Sequence, residues 1–436
     1  MRVTLKISLE STEHIKQQLL LWSQQYHEIV WLDSNNYQQK YSEFDAILAV
    51  DAFTVLQTDH VQGFQKLDEY QRTTNDWIFG YLSYDLKNDV ENLVSQNHDG
   101  LEFPELYFFQ PKKLFFLKGN TLEVQYLRAV DDELEEDVEA ILNTKIDLEI
   151  FTNKTLNKEN RPKIKLRIHK DEYHEKVNAV LAHIHRGDIY EANFCQEFYA
   201  ENATIDPVST YAHLNAISKP PFATYMRLSD KYILSASPER YIKKNGTKIT
   251  SQPIKGTAKR VSNPIEDQKL ATDLQNDEKE RAENVMIVDL VRNDLAKTAK
   301  KGSVKVEELC KIYTFDQVHQ MISTVTSEVS ETQNLVEILQ TTFPMGSMTG
   351  APKISAMKII ENLEETKRGI YSGAIGYFTP ENNFDFNVVI RSILYNSSKK
   401  YVSYSVGGAI TAKSIPEKEY EECLIKAKAM REALEL

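Results

Sequence analysis

The segment TSQPIKGTAKR, residues 250–260, contains a lysine that could do chemistry. Lys255 lies between Pro253 and Gly256, and both of these residue types are typical of turns. Such a turn can point a charged side chain at water, or it can hold an amine at a fixed place in a pocket. A lysine held in a pocket can act as a nucleophile once it has lost its proton. The segment alone leaves both alternatives open.

Two groups of carboxylates could hold a metal ion. Glu419, Glu422 and Lys426 are spaced by three and four residues, so they share one face of a predicted helix. Glu283 lies beside the apolar run at residues 285–290, which indicates a position near the core. Ordinary salt bridges also explain each group taken alone. Two glutamates from different helices could instead hold one magnesium ion, which prefers oxygen ligands and keeps several waters.

A glycine-rich segment could bind an anion. The sequence GSMTGAPK, residues 346–353, lacks the spacing of a phosphate-binding loop. It nevertheless places backbone N–H groups just before a predicted helix, where an anion such as a carboxylate can bind. A plain tight turn before a helix is the alternative.

Two isolated charged residues also stand out. Glu239 follows Pro238 at the end of a predicted strand, so its carboxyl group faces either a cleft or the surface. Arg391 interrupts an otherwise apolar strand, and a buried arginine needs an anionic partner. That partner is either a carboxylate of the protein or a carboxylate of a substrate.

The elements that must position these residues are predicted from the periodicity of apolar residues. Helical spacing predicts helices over 131–142, 171–187, 265–299 (broken near residues 276–277), 352–365 and 417–435. In the fourth of these, Ile354, Met357, Ile360 and Leu363 are predicted to face inward. Runs rich in aromatic and β-branched residues predict strands within 46–56, 77–86, 106–127, 191–200, 231–237, 372–378, 386–395 and 401–410. This order predicts an α+β fold, with a large antiparallel β core and helices packed outside.

The length and a shift in composition indicate how the chain is divided. A chain of 436 residues is long enough for two domains or one large one. Residues 143–164 are rich in Asn, Lys and Thr and poor in apolar clusters, which is typical of a linker. We therefore expect an amino-terminal domain over residues 1–160 and a second, catalytic domain over residues 165–436.

Charge and cysteine content limit the possible functions. A net charge of −12 argues against nucleic-acid binding, and an acidic protein that binds an anion must supply local positive charge. The sequence has neither a long apolar run nor a signal-peptide pattern, so no membrane partner is expected. Its three cysteines have neither zinc-site nor disulfide spacing. These observations predict a cytoplasmic protein.

Eight segments of the sequence form a recognisable series: GDIYEANFCQEF (187–198), SASPERY (235–241), SQPIKGTAKR (251–260), DEKERAENVMIVDLVRNDL (277–295), FPMGSMTGAPKISAMKIIENLE (343–364), RGIYSGAIGYF (368–378), VVIRSI (388–393) and EYEECLIKA (419–427). In this order they resemble the chorismate-utilising enzymes, a family that includes anthranilate, aminodeoxychorismate, isochorismate and salicylate synthases. The resemblance is strong over residues 170–436. Before residue 160 it rests mainly on FGYLSYDL (79–86). It implies a fold like that of anthranilate synthase component I.

The resemblance also implies a role for each matched residue. Glu283 and Glu422 match the carboxylates that hold Mg²⁺, and Glu239 matches the acid that protonates the hydroxyl group leaving C4 of chorismate. Tyr371, Arg391 and Gly407 match positions that bind the enolpyruvyl carboxylate. The remaining matched positions are Gly346, Ser347, Thr349 and Gly350 near the ring carboxylate, and Lys426 near the metal.

Lys255 distinguishes between members of the family. The chain reads PIKGT, as many aminodeoxychorismate synthases do, whereas anthranilate synthases resemble PIAGT and have no amine at this position. The resemblance implies that Lys255 attacks C2 of the ring, after which ammonia adds at C4 and expels the lysine. A partly desolvated pocket is expected to lower the pKa of Lys255, against the opposing effect of an anionic substrate.

Several alternatives remain. Anthranilate synthase component I is the nearest one, and a non-catalytic relative is another. Isochorismate and salicylate synthases use a lysine base, and an ungapped match assigns its position to Glu191. The chain therefore lacks the lysine base that an isochorismate or salicylate synthase would need. Either His319 or Gln320 faces the site. The chain shows no glutaminase signature, so it is expected to use free ammonia or to pair with a glutamine amidotransferase subunit, component II.

Overall fold

A computed structural model describes residues 2–12, 14–37, 43–146 and 161–435. Within these residues the chain forms strands and helices in an α+β arrangement, as the sequence predicts. The strands are β1 (Arg2–Ser8), β2 (Glu28–Asp33), β3 (Ala46–Thr58), β4 (Ile78–Leu82), β5 (Leu106–Lys118), β6 (Thr121–Leu127), β7 (Lys165–Leu166), β8 (Glu191–Ala200), β9 (Phe222–Leu228), β10 (Lys231–Ser237), β11 (Arg240–Asn245), β12 (Lys248–Gln252), β13 (Ile254–Lys259), β14 (Lys305–Thr314), β15 (Val318–Glu328), β16 (Gly350–Ala351), β17 (Ala374–Phe378), β18 (Phe384–Val388), β19 (Ser392–Asn396) and β20 (Tyr401–Thr411). The helices are α1 (Ile15–Ser23), α2 (Gly63–Thr74), α3 (Lys87–Val90), α4 (Leu134–Asn143), α5 (Lys170–Arg186), α6 (Pro207–Ser218), α7 (Pro264–Asn276), α8 (Glu278–Ala296), α9 (Leu335–Thr342), α10 (Lys353–Leu363) and α11 (Pro416–Glu435).

The strands form one antiparallel network that divides at β5. Along one edge of β5, one half of the strand pairs with β6 and the other half pairs with β4. β3 pairs with β5 along nearly the whole of the other edge. From β3 the first branch runs through β2, β9, β10, β19 and β20 to β8. From β4 the second branch runs through β17, β18, β11, β12 and β15 to β13. β15 also pairs with β14, and β8 also pairs with β16 and β7. β8 and β13 therefore lie near the outer ends of the two branches.

Strands from both halves of the chain share this network. β2 pairs with β9, and β4 pairs with β17, so each branch joins amino-terminal strands to strands beyond residue 165. The predicted linker at 143–164 lies largely outside the described residues. The division into domains at 1–160 and 165–436 stays a prediction.

Local sequence signals explain how the site helices begin and end. Asn263 caps α7, and Pro264 occupies its first turn, where a missing N–H costs nothing. Asp277 ends this helix and caps α8 by accepting a hydrogen bond from the Glu280 amide. The predicted break near residues 276–277 is confirmed, and it gives α8 the direction that carries Glu283 to the site.

The predicted strand over residues 386–395 is wrong as a single element. β18 ends at Val388 and β19 begins at Ser392, and the residue before β19, Arg391, has a left-handed backbone with φ of 54°. A non-glycine residue rarely adopts this conformation, so it is not visible in a pattern of apolar residues. The kink removes Arg391 from the strand.

The predicted inward face of α10 needs one correction. Met357 and Ile360 are buried, but Ile354 is 44% exposed. Ile354 lines a groove of about 940 Å³ together with Val285 and Leu290 of α8. Among the described residues no helix has the length and apolar character needed to cross a membrane.

Candidate active site

The ends of the two sheet branches meet at a buried ion pair. Nζ of Lys255, on β13, lies 3.3 Å from Oε1 of Glu191, on β8, and donates a hydrogen bond to it. The Lys255 side chain is 14% exposed and the Glu191 side chain is 1% exposed. Lys255 is therefore buried against Glu191 and does not point at water, which was one of the two alternatives that the sequence left open.

The surroundings of Lys255 keep its amine protonated. Burial lowers the pKa of Lys255, but the negative charges of Glu191, Glu283 and Glu239 outweigh burial and raise the pKa above its ordinary value. The expectation that a desolvated pocket would lower this pKa is therefore wrong. Three carboxylates contributed by three different elements supply the opposing effect, and their proximity could not be read from the sequence.

Glu239 is a buried carboxylic acid close to this amine. It follows β10 and is 3% exposed. Burial raises its pKa to about 7, against hydrogen bonds from Ser347 and the Ile254 backbone and against the charge of Lys255. A carboxyl group with this pKa is largely protonated at pH 6 and remains partly protonated at neutral pH, so it can donate a proton to a ligand.

Glutamates of α8 and α11 form an acidic cluster around a lysine. Nζ of Lys279 lies 3.8 Å from Oε1 of Glu283 and 3.9 Å from Oε1 of Glu419. Burial, with the repulsion of Glu280, raises the pKa of Glu283 to about 7. Burial and the charge of Glu422 likewise raise the pKa of Glu419. The acidic cluster contains more carboxylates than positive charges. The position of Lys279 between two of these carboxylates is one where a bound cation would also be stabilised.

Glu422 has a different environment within the same cluster. Its Oε1 accepts a hydrogen bond from Nζ of Lys426 at 2.7 Å, and its side chain is 47% exposed. Burial raises its pKa, but the positive charges of Lys426, Lys279 and Lys255 outweigh burial and lower it. Glu422 is therefore ionised at neutral pH and open to a ligand.

These residues fit a magnesium ion in part. Oε1 of Glu283 is buried without a hydrogen-bond partner among the described residues, as expected for an oxygen that binds a cation. Within the described ranges, no three Asp, Glu, His or Cys side chains converge closely enough to hold a metal by themselves. Magnesium is commonly held by one or two carboxylates together with waters and substrate oxygens, so Glu283 and Glu422 remain suitable ligands.

Arg391 and Tyr371 lie close enough to interact electrostatically, and Glu422 also acts on Arg391. Among the described residues no hydrogen bond or ion pair engages the Arg391 guanidinium. Burial lowers the pKa of Arg391, while Tyr371 and Glu422 favour its charge from a distance. The hydroxyl group of Tyr371 is buried and lies 3.9 Å from Sγ of Cys195. An arginine without a protein carboxylate is suited to a carboxylate of a ligand.

The loop at residues 346–350 has fewer free backbone N–H groups than the predicted anion-binding site requires. Gly346–Met348 form a short 3₁₀ turn, and the amides of Met348 and Thr349 already donate to backbone carbonyls within it. The Thr349 hydroxyl also donates to the carbonyl of Gly346. Ser347 is the member of the loop that reaches the site, through its hydrogen bond to Glu239.

Gly350 and Gly407 allow close packing at β8. A Cβ atom on Gly350 would lie 2.1 Å from the carbonyl oxygen of Glu191. A Cβ atom on Gly407 would lie 2.4 Å from Sγ of Cys195, its partner across β8 and β20. The carbonyl of Gly407 accepts a hydrogen bond from Nζ of Lys426 at 2.9 Å. Gly350 thus lets β16 pack closely against the strand that carries Glu191. Gly407 allows close packing on the same strand, and its carbonyl positions Lys426.

The sequence model of the chorismate binding enzymes matches residues 27–432. The chain belongs to this family. The resemblance noted in the sequence is thereby confirmed over nearly the whole chain, including the amino-terminal part where it was weakest.

Relatives of this chorismate binding enzyme carry more specific names. Aminodeoxychorismate synthase component 1 of Bacillus subtilis is 33% identical over 364 residues, which are 82% of this chain and 76% of that protein. The protein of the same name from Escherichia coli is 40% identical over 266 residues, which are 61% of this chain and 58% of that protein. Among solved structures, anthranilate synthase component I of Streptococcus pneumoniae matches with a TM-score of 0.79 and 25% identity, covering 91% of this chain and 93% of that one. The anthranilate synthase component I-like fold is therefore confirmed.

Two features of this chorismate binding enzyme were not predicted as parts of the site: Glu191 contacts Lys255, and Arg368 contacts several elements of the site. Glu419, which the sequence placed on the same helix face as Glu422, also joins the acidic cluster. Arg368 is buried, pairs with Glu364, and donates to the carbonyls of Met348 and Asn193. Glu364 and Arg368 lie just after the end of α10, and their spacing of four residues in the sequence does not reveal that they are buried.

The open choice between His319 and Gln320 is also clarified. Nε2 of His319 lies 3.1 Å from Oδ1 of Asp267, and its Nδ1 lies 3.0 Å from the Thr314 hydroxyl. Gln320 points to the other face of β15, because successive side chains alternate along a strand. Its side-chain oxygen is buried without a hydrogen-bond partner in the part of the chain that the structure describes. Gln320 is therefore the one of the two with bonding capacity left for a ligand.

Proposed function

We propose that this chain is component I of an aminodeoxychorismate synthase, which converts chorismate and ammonia to 4-amino-4-deoxychorismate for para-aminobenzoate and folate synthesis. The observation that carries the proposal is the amine of Lys255, which is hydrogen-bonded to buried Glu191 and lies within the electrostatic reach of Glu239 and Glu283. Relatives named aminodeoxychorismate synthase component 1 support the assignment. The name of these relatives also supports a second subunit, which we propose is a glutamine amidotransferase that supplies ammonia in the cytoplasm.

The proposed substrate is an anion that needs positive charge inside an acidic protein. Arg391 and Tyr371 would receive the enolpyruvyl carboxylate, because the guanidinium has no carboxylate partner among the described residues. Gly407 would lie beside this carboxylate, and the loop with Ser347 and Thr349 would lie beside the ring carboxylate. Lys426 would add positive charge near Glu422.

Glu283 and Glu422 would hold a magnesium ion next to the ring carboxylate. When bound, the ion would withdraw electrons from the ring through that carboxylate and favour addition of a nucleophile. The residues of the chain do the remaining work. Glu239, with its pKa raised to about 7, gives its proton to the oxygen that leaves C4.

Lys255 is the proposed nucleophile. Its lone pair attacks C2, both ring double bonds shift, and the C4–O bond breaks as Glu239 protonates the oxygen, so water leaves. Ammonia then adds at C4 and the electrons return to expel Lys255 from C2. The enolpyruvyl group stays on the product, because no step in this sequence breaks its bond to the ring.

Product analysis tests this proposal. We would incubate the protein with chorismate, ammonium and magnesium, and separate the products by liquid chromatography with and without an added aminodeoxychorismate lyase. The proposal predicts aminodeoxychorismate, and para-aminobenzoate only when the lyase is added. Fluorescent anthranilate without the lyase would instead assign the second candidate, anthranilate synthase component I, which the structural similarity to such an enzyme favours. Absence of turnover with saturating ammonia and magnesium would indicate a non-catalytic relative.

A further inference from the structure

Glu191, the buried hydrogen-bond partner of Lys255, takes no part in the addition and elimination steps proposed above. We propose that Glu191 is a positioning residue that orients the Lys255 amine and accepts its proton before attack on the ring. This inference rests on the proposed function, because it assigns a role only if Lys255 is a nucleophile. Glu191 would then determine how fast the covalent intermediate forms.

The position of Glu191 is fixed by its backbone. It is the first residue of β8 and lies between Ala351 of β16 on one side and Thr411 of β20 on the other. Its side chain is 1% exposed, so it is enclosed by other parts of the protein. A carboxylate placed so rigidly at 3.3 Å restricts Nζ of Lys255 to one direction.

The second oxygen of Glu191 shows unused capacity. Oε1 accepts the hydrogen bond from Lys255, whereas Oε2 is buried and has no hydrogen-bond partner among the described residues. A buried carboxylate that served only structure would be expected to have both oxygens satisfied. One free oxygen leaves room for a carboxylate that takes up a proton and then donates it in a hydrogen bond.

The amine needs such an acceptor. The neighbouring carboxylates hold Lys255 in its ammonium form, which has no lone pair and cannot attack carbon. Glu239 must keep its own proton for the leaving oxygen, and Glu283 is the proposed metal ligand. Glu191 is the carboxylate that is already hydrogen-bonded to the ammonium.

The proton and the electrons balance in this step. The Lys255 ammonium gives one proton to Glu191, which becomes a neutral carboxylic acid, and the freed lone pair forms the Nζ–C2 bond. The C4–O bond breaks and its oxygen takes the proton of Glu239, so one water is released. When ammonia later expels the lysine, a proton can return from Glu191 to the amine, which restores the pair.

A purely structural ion pair is the competing explanation. A buried ion pair is weak support for stability, because the cost of desolvating both charges can exceed their attraction. The two explanations differ in what they predict for the reaction, since loss of a structural pair would lower stability without slowing formation of the Lys255 adduct. The charged groups that act on Lys255 or on Glu191 are Glu191 and Lys255 themselves, Glu239, Glu280, Glu283 and Glu422.

The test is the rate at which the covalent adduct forms in the variant Glu191→Gln. The protein with magnesium is mixed with chorismate without ammonia, quenched at intervals and analysed by intact mass. We expect at least about 100-fold slower formation than in the wild type, the usual contribution of a positioned proton acceptor. Chorismate affinity, measured by titration, should change little, since Glu191 acts on the amine and not on the substrate.

The pH profile separates proton transfer from structure. Between about pH 5.5 and 7 the wild-type rate should be nearly level, because the proton passes within the pair, whereas the rate of Glu191→Gln should rise with pH because solvent must take the proton. The variant Glu191→Asp should restore the level profile at a reduced rate. It also carries the test alone if the glutamine variant fails to fold.

A matched control is available on the same strand. Glu197 is also buried on β8 but contacts Arg167 and Tyr401 instead of Lys255. Glu197→Gln should form the adduct at close to the wild-type rate. The inference is overturned if Glu191→Gln matches the wild type in both rate and pH profile. Failure of the proposed function looks different, because the wild type itself would then form no Lys255 adduct.

Discussion

The site contains an acid and an amine whose protonation is set by their neighbours. Burial keeps Glu239 protonated up to about pH 7, and surrounding carboxylates keep Lys255 charged. The types of both residues were visible in the sequence, and the direction of the Glu239 shift could be expected from burial. The shift of Lys255 could not be, because it depends on Glu191 and Glu283, which are 64 and 28 residues away along the chain.

Glu239 should control the alkaline side of the pH profile. An acid with a pKa of about 7 loses its proton as the pH rises through that value, so kcat/KM for chorismate should fall above pH 7. Glu239→Gln should lower kcat/KM by about 10²- to 10⁴-fold and abolish this decline. Initial rates from pH 6 to about pH 9 would check both effects. A wild-type decline that persists unchanged in Glu239→Gln would assign it to another group.

Arg391 should serve substrate binding, whereas Arg368 should serve stability. Arg391→Leu is expected to raise KM for chorismate at least about tenfold and to leave the melting temperature nearly unchanged, because no ion pair engages its side chain within the described residues. Arg368→Leu leaves the buried Glu364 without its partner and should destabilise the protein by about 3–5 kcal/mol. Steady-state kinetics and thermal unfolding of both variants are needed. A large loss of stability in Arg391→Leu would show that the guanidinium has a structural role.

At the scale of elements, the site is assembled where the two ends of one divided sheet meet. Strand patterns predicted β8, β10 and β20 closely, because each has a continuous apolar or alternating run. They did not predict the break between β18 and β19, since the left-handed backbone of Arg391 leaves no mark in composition. They also could not predict that β8 and β13 meet, because this contact depends on strand pairings that span the whole chain.

The turn before α10 should tolerate no side chain at residue 350. Gly350→Ala would place Cβ 2.1 Å from the backbone of Glu191, so β16 and β8 must separate. We expect a loss of about 3 kcal/mol in the free energy of unfolding, together with a loss of most activity. Gly119→Ala, in a hairpin turn with nothing within 4 Å, is the control and should cost about 1 kcal/mol while activity persists. Equal effects of the two substitutions on activity would contradict this assignment.

At the scale of the whole molecule, a protein with a net charge of −12 concentrates several acids between α8 and α11. Glu280, Glu283 and Glu419 all have raised pKa values, for which burial is the largest cause. The sequence suggested Glu283 and Glu422 through the family resemblance, and helical spacing placed Glu419 on the same face. Periodicity alone could not show that the two helices meet.

Magnesium should therefore stabilise the folded protein. A ligand that binds only the folded state stabilises it by an amount that grows with the logarithm of one plus the ratio of free ligand concentration to Kd, so magnesium in large excess should raise the melting temperature by about a few degrees. Glu283→Gln should remove most of this shift. Glu417→Gln is the control, because Glu417 lies on the same helix as Glu422 but pairs with Lys170 of α5 instead of joining the acidic cluster. A shift that survives in Glu283→Gln would place the ion elsewhere.

Intact mass after mixing the protein with chorismate and magnesium, without ammonia, tests the central claim most directly. Wild-type protein should gain the mass of chorismate less one water, and fragmentation should place this mass on Lys255. Lys255→Ala should show no such species, although its fold, followed by thermal unfolding, is expected to persist. An adduct that remains in Lys255→Ala, or a wild-type protein that turns over chorismate without ever forming one, would contradict the proposal that Lys255 bonds to the ring.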